Sequence, residues 1–180
     1  MSANKKRRKQ TKLLTVGAML SALGVVVLGL GSLINTLDLT VAALASFFCI
    51  YAVIEMGGPY PWMIWGVISL LGLVLLPMPK SPAVLFLFIG CYPIFKEKFE
   101  KRPRWLCFIL KLVTFHIMAG LFFLTTFLFF PTELVGYAPW MFIIGYFFAV
   151  ATFMVYDYAL SKIITLYLLR LRDRFKLNLR

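Results

Sequence analysis

Four ionisable residues fall inside long apolar stretches of this 180-residue chain, Lys111 and His116 in one and Asp157 and Lys162 in the next. An ionisable group surrounded by hydrocarbon is expensive, so each is a candidate for ligand binding or proton transfer. Counted from the basic residues that close their stretches, His116 lies 12 residues from Arg104 and Asp157 lies 13 from Arg170. At about 1.5 Å per helical residue both sit roughly 18 Å deep, so the two can meet. A histidine beside a carboxylate suits a proton relay or the capture of a cationic substrate group. The structural alternative is a hydrogen-bonded pair that only orients two helices, worth about 1 kcal/mol. Lys111 and Lys162 lie nearer the stretch ends, where lysine heads snorkel to the interface; Lys111 can instead reach Asp157.

A second set sits between the stretches: Asn35, Asp38, Lys80, Glu133, Tyr137 and Trp140. Aromatic walls with a few aimed polar groups make a small-molecule pocket, and these residues supply both, making them substrate-binding candidates together with His116 and Asp157. The competing reading is an interfacial belt, since Trp and Tyr gather at headgroup depth; Tyr60, Trp62 and Trp65 are read that way on the opposite side. Catalysis finds no support. The chain has one histidine and seven scattered acidic residues. It has no nucleophile elbow, no His-Glu-x-x-His and no phosphate-cradling glycine loop. Cys49, Cys91 and Cys107 share no metal-ligand spacing and read as small reduced hydrophobes. No enzyme activity, metal or cofactor is expected.

The elements that must position these residues follow from the solvent. Residues 13–34, 39–54, 60–76, 105–130 and 141–169 approach or exceed the roughly 20 apolar residues that cross a bilayer core. Only helices and closed barrels satisfy every backbone group in lipid, and unbroken runs rather than alternating ten-residue segments select helices. The expected fold is therefore all-α and polytopic, with 62% apolar residues leaving no room for a separate soluble domain. The basic opening Lys5-Lys6-Arg7-Arg8-Lys9 resembles a signal peptide, but about 20 apolar residues follow with no small-x-small cleavage site, which predicts a retained first helix.

Asn35-Thr36-Leu37-Asp38 gives the first turn, with Asp38 as a candidate N-cap, and Gly57-Gly58-Pro59-Tyr60-Pro61 and Pro77-Met78-Pro79-Lys80-Ser81-Pro82 bound the third helix. The segment 82–99 contains Gly90 and Pro93. Charge decides its reading: only if it crosses, with Lys96 and Lys98 snorkelling and a kink near Pro93, do Lys96, Lys98, Lys101, Arg102 and Arg104 share a side with the N-terminal cluster, as the positive-inside rule requires. A six-transmembrane-helix bundle with both termini cytoplasmic results. It comprises a basic segment 1–12, a membrane domain 13–170 and a basic tail 171–180, with sixteen of the 19 Lys and Arg inside and Lys80 alone on the outer loops. The net charge of +12 thus addresses anionic lipids at the cell membrane rather than nucleic acid. The two three-helix halves share no repeat, so no inverted-repeat transporter is expected.

Membrane helices associate where small residues let backbones approach. The first helix pairs Gly17 with Ser21 and Ala18 with Ala22, the second carries Ala42, Ala45, Ser46, Cys49 and Ala52 at helical spacing, and the last adds Gly145 and Ala149. The stripes of the second and last helices read as internal packing. The opening Thr11-Lys12-Leu13-Leu14-Thr15-Val16-Gly17-Ala18-Met19-Leu20-Ser21-Ala22-Leu23-Gly24, the basic N-terminus and six helices in about 180 residues resemble the substrate-binding S-component of energy-coupling factor (ECF) transporters. The resemblance covers the whole chain as architecture and the first helix as sequence. It implies capture of a vitamin-like nutrient from outside, docking of Ala18 and Ala22 on a transmembrane coupling subunit, and energy from that subunit's ATPase pair. Residues 88–96 also resemble a group of uncharacterised small bacterial membrane proteins, which implies no activity. The alternatives are a non-catalytic scaffold of the bacterial cell envelope and a small lipid-modifying enzyme centred on His116 and Asp157.

Overall fold

The computed structural model describes residues 2–34, 37–76, 82–129 and 138–171. Among them all regular structure is helical: α1 (Ser2–Ser32), α2 (Asp38–Glu55), α3 (Tyr60–Leu75), α4 (Pro82–Ile89), α5 (Tyr92–Phe99), α6 (Arg104–Phe129) and α7 (Pro139–Leu166), which continues as a π-helical turn over Tyr167–Leu171. Four stretches, Arg7–Ser32, Asp38–Glu55, Arg104–Phe129 and Trp140–Leu169, are long and apolar enough to cross a membrane, and Tyr60–Leu75 is a shorter apolar helix. The chain divides into two compact units, one running to Leu110 and the other starting at Lys111.

In the first unit α2 is central, packing against α1, α3, α4 and α5. Its small stripe is the reason. Ala42, Ala45, Ser46, Cys49 and Ala52 are fully buried, so the backbones around α2 come close, as the spacing of those residues predicts. On α1 the approach is tightest at glycine: a Cβ on Gly24 would lie 2.5 Å from Ile68 Cδ1 of α3, and one on Gly31 2.5 Å from Val41 Cγ1 of α2. Gly57 and Gly58 turn the chain between α2 and α3 with φ of 62° and 57°, a left-handed conformation that side chains disfavour.

Three expectations change. First, α1 does not begin at Leu13 but includes the basic segment from Ser2; Lys, Arg and Gln are good helix formers and nothing there breaks the helix. Second, Asp38 is not the N-cap of α2. Leu37 takes that place without a side-chain hydrogen bond, and Asp38 enters the first turn, where a carboxylate suits the helix dipole. Third, the segment 82–99 is broken rather than kinked at Pro93. Proline offers no N–H to the carbonyl four residues back and its ring collides with it; that carbonyl belongs to Ile89, where α4 ends.

The break leaves carbonyls of the last α4 turn without helical donors. Gly90 N–H donates to Phe86 O at 2.8 Å, the Trp65 indole Nε1 of α3 donates to Leu87 O at 3.2 Å and the Cys91 Sγ donates to Phe88 O at 3.0 Å. A Cβ on Gly90 would sit 2.7 Å from the Phe86 ring and carbonyl, so only glycine fits. Trp65 therefore caps the end of α4. It packs edge-on against Trp62, which in turn meets Phe95 of α5.

Candidate functional site

The second unit holds the polar groups with chemical potential. Its helices run antiparallel, since contacts pair Lys111 with Asp157, Phe115 with Phe153, His116 with Tyr146 and Phe123 with Phe142. Most apolar side chains of α6 and α7 are exposed, as lipid-facing side chains would be, whereas two polar pairs meet between the helices.

Lys111 Nζ donates to Asp157 Oδ2 at 2.7 Å, with the two side chains 17% and 19% exposed. Lys111 therefore does not snorkel, and the carboxylate expected beside His116 belongs to a lysine. A cation and an anion that neutralise each other can stay at membrane depth where either alone is strongly disfavoured. Ser161 Oγ donates back to Asp157 O at 3.0 Å. Lys162 is nearer the α7 end and lies 5.4 Å over the Tyr158 ring, a cation–π contact.

His116 makes a second pair. Its Nδ1 lies 2.7 Å from Leu112 O, and a carbonyl only accepts, so Nδ1 carries hydrogen. In the neutral ring Nε2 is then the acceptor, and the Tyr146 hydroxyl, 2.6 Å away, donates to it. The arrangement is a phenol poised on an imidazole of fixed tautomer. Phe115 and Phe153 pack between the two pairs with centroids 4.7 Å apart. Chemically, the site can hold or pass a proton between phenol and imidazole, or open its ion pair to a charged ligand group. Among the described residues no three His, Cys, Asp or Glu side chains gather as metal ligands.

The other candidates are dispersed. Asn35, Lys80, Glu133 and Tyr137 lie outside the described residues. Trp140 stands at the start of α7 and is 57% exposed. Asp38 is in the first unit, where its Oδ1 is buried without a hydrogen-bond partner among the described residues. On α1, Ala18 and Ala22 are exposed, whereas Gly17, Ser21 and Gly24 are buried; Ser21 Oγ donates to Gly17 O at 2.9 Å. Gly145 and Ala149, expected to pack, are exposed on α7, with nothing within 4 Å of a Cβ on Gly145.

Sequence reasoning missed three features. Tyr146 sits in an apolar run and gave no sign that it answers His116. Glu55 of α2 and Lys96 of α5, on helices that pack together, are both buried, at 5% and 1% exposure. Lys96 was expected to snorkel; instead its Nζ lies 3.7 Å from Glu100 Oε1. A charge of each sign near the ends of two packed helices was the available signal.

No family model matches this chain, and neither a curated protein nor a solved structure matches it.

Proposed function

We propose that the chain is the substrate-capturing membrane subunit of an ECF-type importer of the bacterial cell membrane, binding a small, vitamin-like organic nutrient from the outer side. One observation carries this reading. Of the two small-residue rows on α1, Gly17, Ser21 and Gly24 are buried within the first unit, and Ala18 and Ala22 remain exposed. Small side chains facing outward contribute nothing to the bundle itself, but they let a partner helix approach closely. They therefore suit docking on a transmembrane coupling subunit, whose pair of ATPases supplies the energy this chain has no nucleotide loop to provide.

In this reading the chain crosses six times with both termini inside. Helices α4 and α5 together make one broken span over residues 82–99. The basic clusters then share the cytoplasmic side. The His116–Tyr146 and Lys111–Asp157 pairs are the polar groups assigned to ligand recognition or to the shape of the site, alongside Asn35, Asp38, Lys80, Glu133, Tyr137 and Trp140 at the outer ends. No catalytic step is assigned to any of them.

Ala18→Trp, introduced at the exposed row, is expected to abolish coupling-dependent uptake and co-purification of the coupling subunit while ligand binding by the isolated chain persists. Undiminished uptake by Ala18→Trp overturns the reading. A scaffold of the cell envelope is the second reading, favoured by the exposed Lys98, Lys101, Arg102 and Arg104 around the α5–α6 junction. Neutralising these four would then release an envelope partner and leave Ala18→Trp silent.

A further inference from the structure

Deeply buried charge is confined to two side chains. Among the described residues, Glu55 at 5% exposure and Lys96 at 1% are the only charged groups more than nine-tenths buried. They have opposite signs and stand on α2 and α5, which pack together. Burying either alone is strongly disfavoured, so each calls for a counter-charge buried with it. The other described acids do not supply one for Lys96. Glu100 Oε1 is 3.7 Å away, longer than a hydrogen bond, and its side chain is 44% exposed. Glu97 holds Lys101 at 3.1 Å, Asp157 holds Lys111 in the second unit, and Asp38 stands at the opposite end of α2. Every other described cation is at least partly exposed, which leaves Lys96 as the buried base for Glu55.

Helix α5 needs such an anchor because the backbone gives it little. Its Ile94 and Phe95 amides donate to Cys91 O and not back into α4, and Pro93 has no N–H to offer. Leu87 O and Phe88 O are taken by side chains instead. The helical ladder is therefore interrupted at Gly90 and Cys91, and α5 is an eight-residue piece, too short to be stable by itself. Phe95 meets Trp62 of α3 edge-on and Ile94 is buried, but in lipid such apolar contacts gain little over contact with acyl chains. By contrast α4 is packed tightly, with Pro82, Ala83 and Phe86 fully buried and Ala83 Cβ only 2.9 Å from where a Cβ on Gly72 would lie.

We infer that Glu55 and Lys96 neutralise each other and act as a latch. Closed, the pair fixes α5 against the end of α2; broken, it frees α5 to swing on the interruption at Gly90 and Cys91 while α4 stays packed. Lys98, Lys101 and Arg102, exposed at and just beyond the free end of α5, move with it. The latch lies within the first unit and stands separately from the importer reading.

Two cysteines are built-in reporters, since Cys91 is 3% exposed at the break and Cys49 is fully buried on α2. The test is N-ethylmaleimide labelling of the full chain in mild detergent, with peptide mass spectrometry separating both thiols from the more accessible Cys107. Glu55→Gln and Lys96→Gln should each speed labelling at Cys91 by roughly a hundredfold, the lower end of what removing one member of a buried pair costs, and leave Cys49 protected. The charge exchange Glu55→Lys with Lys96→Glu should restore slow labelling, and Glu100→Gln should leave it unchanged. An exchange variant as reactive as the single variants overturns the pairing, as do single variants that label like wild type. Glu100→Gln as reactive as Glu55→Gln assigns Lys96 to Glu100 and overturns it too. If Cys49 opens together with Cys91, the pair supports the whole unit and the latch fails.

Discussion

The two units solve the same problem by opposite means. Around α2 a fully buried stripe of small residues, Ala42, Ala45, Ser46, Cys49 and Ala52, lets neighbouring helices come close, and larger buried side chains such as Leu28, Ile68 and Phe86 fill the space around it. Between α6 and α7 the helices carry large apolar residues outward and use two polar pairs to hold register. In lipid, apolar side chains gain nothing by leaving the surroundings, so association needs either close backbone contact or hydrogen bonds. The first unit relies on the former and the second on the latter. Even the lesser polar groups of the second unit are satisfied locally, with Thr125, Thr126, Ser161 and Thr165 each donating to the carbonyl four residues back.

This contrast can be broken most decisively at the ion pair. Asp157→Ala leaves Lys111 alone at membrane depth and is expected to destabilise the second unit by about 3 kcal/mol, read as a shift in detergent-denaturation midpoint. The double change Lys111→Met with Asp157→Leu should recover most of that loss. A double variant as unstable as the single one would mean that the pair contributes more than charge balance. Next comes Gly24→Leu, which forces a side chain into Ile68. It should cost about 2 kcal/mol and raise hydrogen exchange in α1 and α3 while the amides of α7 keep their protection. Equal deprotection of α7 would show that the units do not open separately.

Smaller effects sharpen the picture. Trp65→Phe keeps the ring contacts and removes only the indole donor, so a loss of about 1 kcal/mol is expected, with faster exchange concentrated over α4 and α5. Tyr146→Phe removes the phenol proton from His116 and should cost about 0.6 kcal/mol. Its second signature is the imidazole resonance, where nitrogen NMR should show Nδ1 still protonated and Nε2 released from its hydrogen bond. A Tyr146→Phe spectrum unchanged at Nε2 would contradict the pairing.

Much of this architecture was legible because lipid enforces simple rules. The apolar runs located the long helices, and the small-residue period of α2 announced its burial. The break before α5 was legible in kind but misplaced, because proline acts on the carbonyl four residues upstream and not at its own position. Other features depended on depth, which a sequence does not carry. Lys96 and Trp65 have the residue types of an interface, yet a packed neighbour gives each a better partner than water does. Lys111 was recognised as a possible mate for Asp157, and geometry preferred it to His116 because an ion pair neutralises two charges at once. Tyr146 was invisible since nothing in its neighbourhood distinguishes a tyrosine that answers a histidine from one that lines a lipid surface. Ala18 and Ala22 could be paired by spacing, but which of the two α1 rows faced inward was decided by Ile64 and Ile68 of α3, far along the chain.

The capping of α4 by Trp65 also bears on how the protein is made. A ribosome delivers α3 before α4, so the indole that will satisfy Leu87 O is already in place when the broken segment leaves the translocon. Cys91, the other side-chain cap, arrives two residues after α4 ends. The carbonyls of Leu87 and Phe88 thus meet their side-chain donors at or just after their own emergence, without waiting for a later part of the chain. Moving the segment encoding α3 downstream of α5, with every contact of the finished fold preserved, should leave a stable product that inserts poorly.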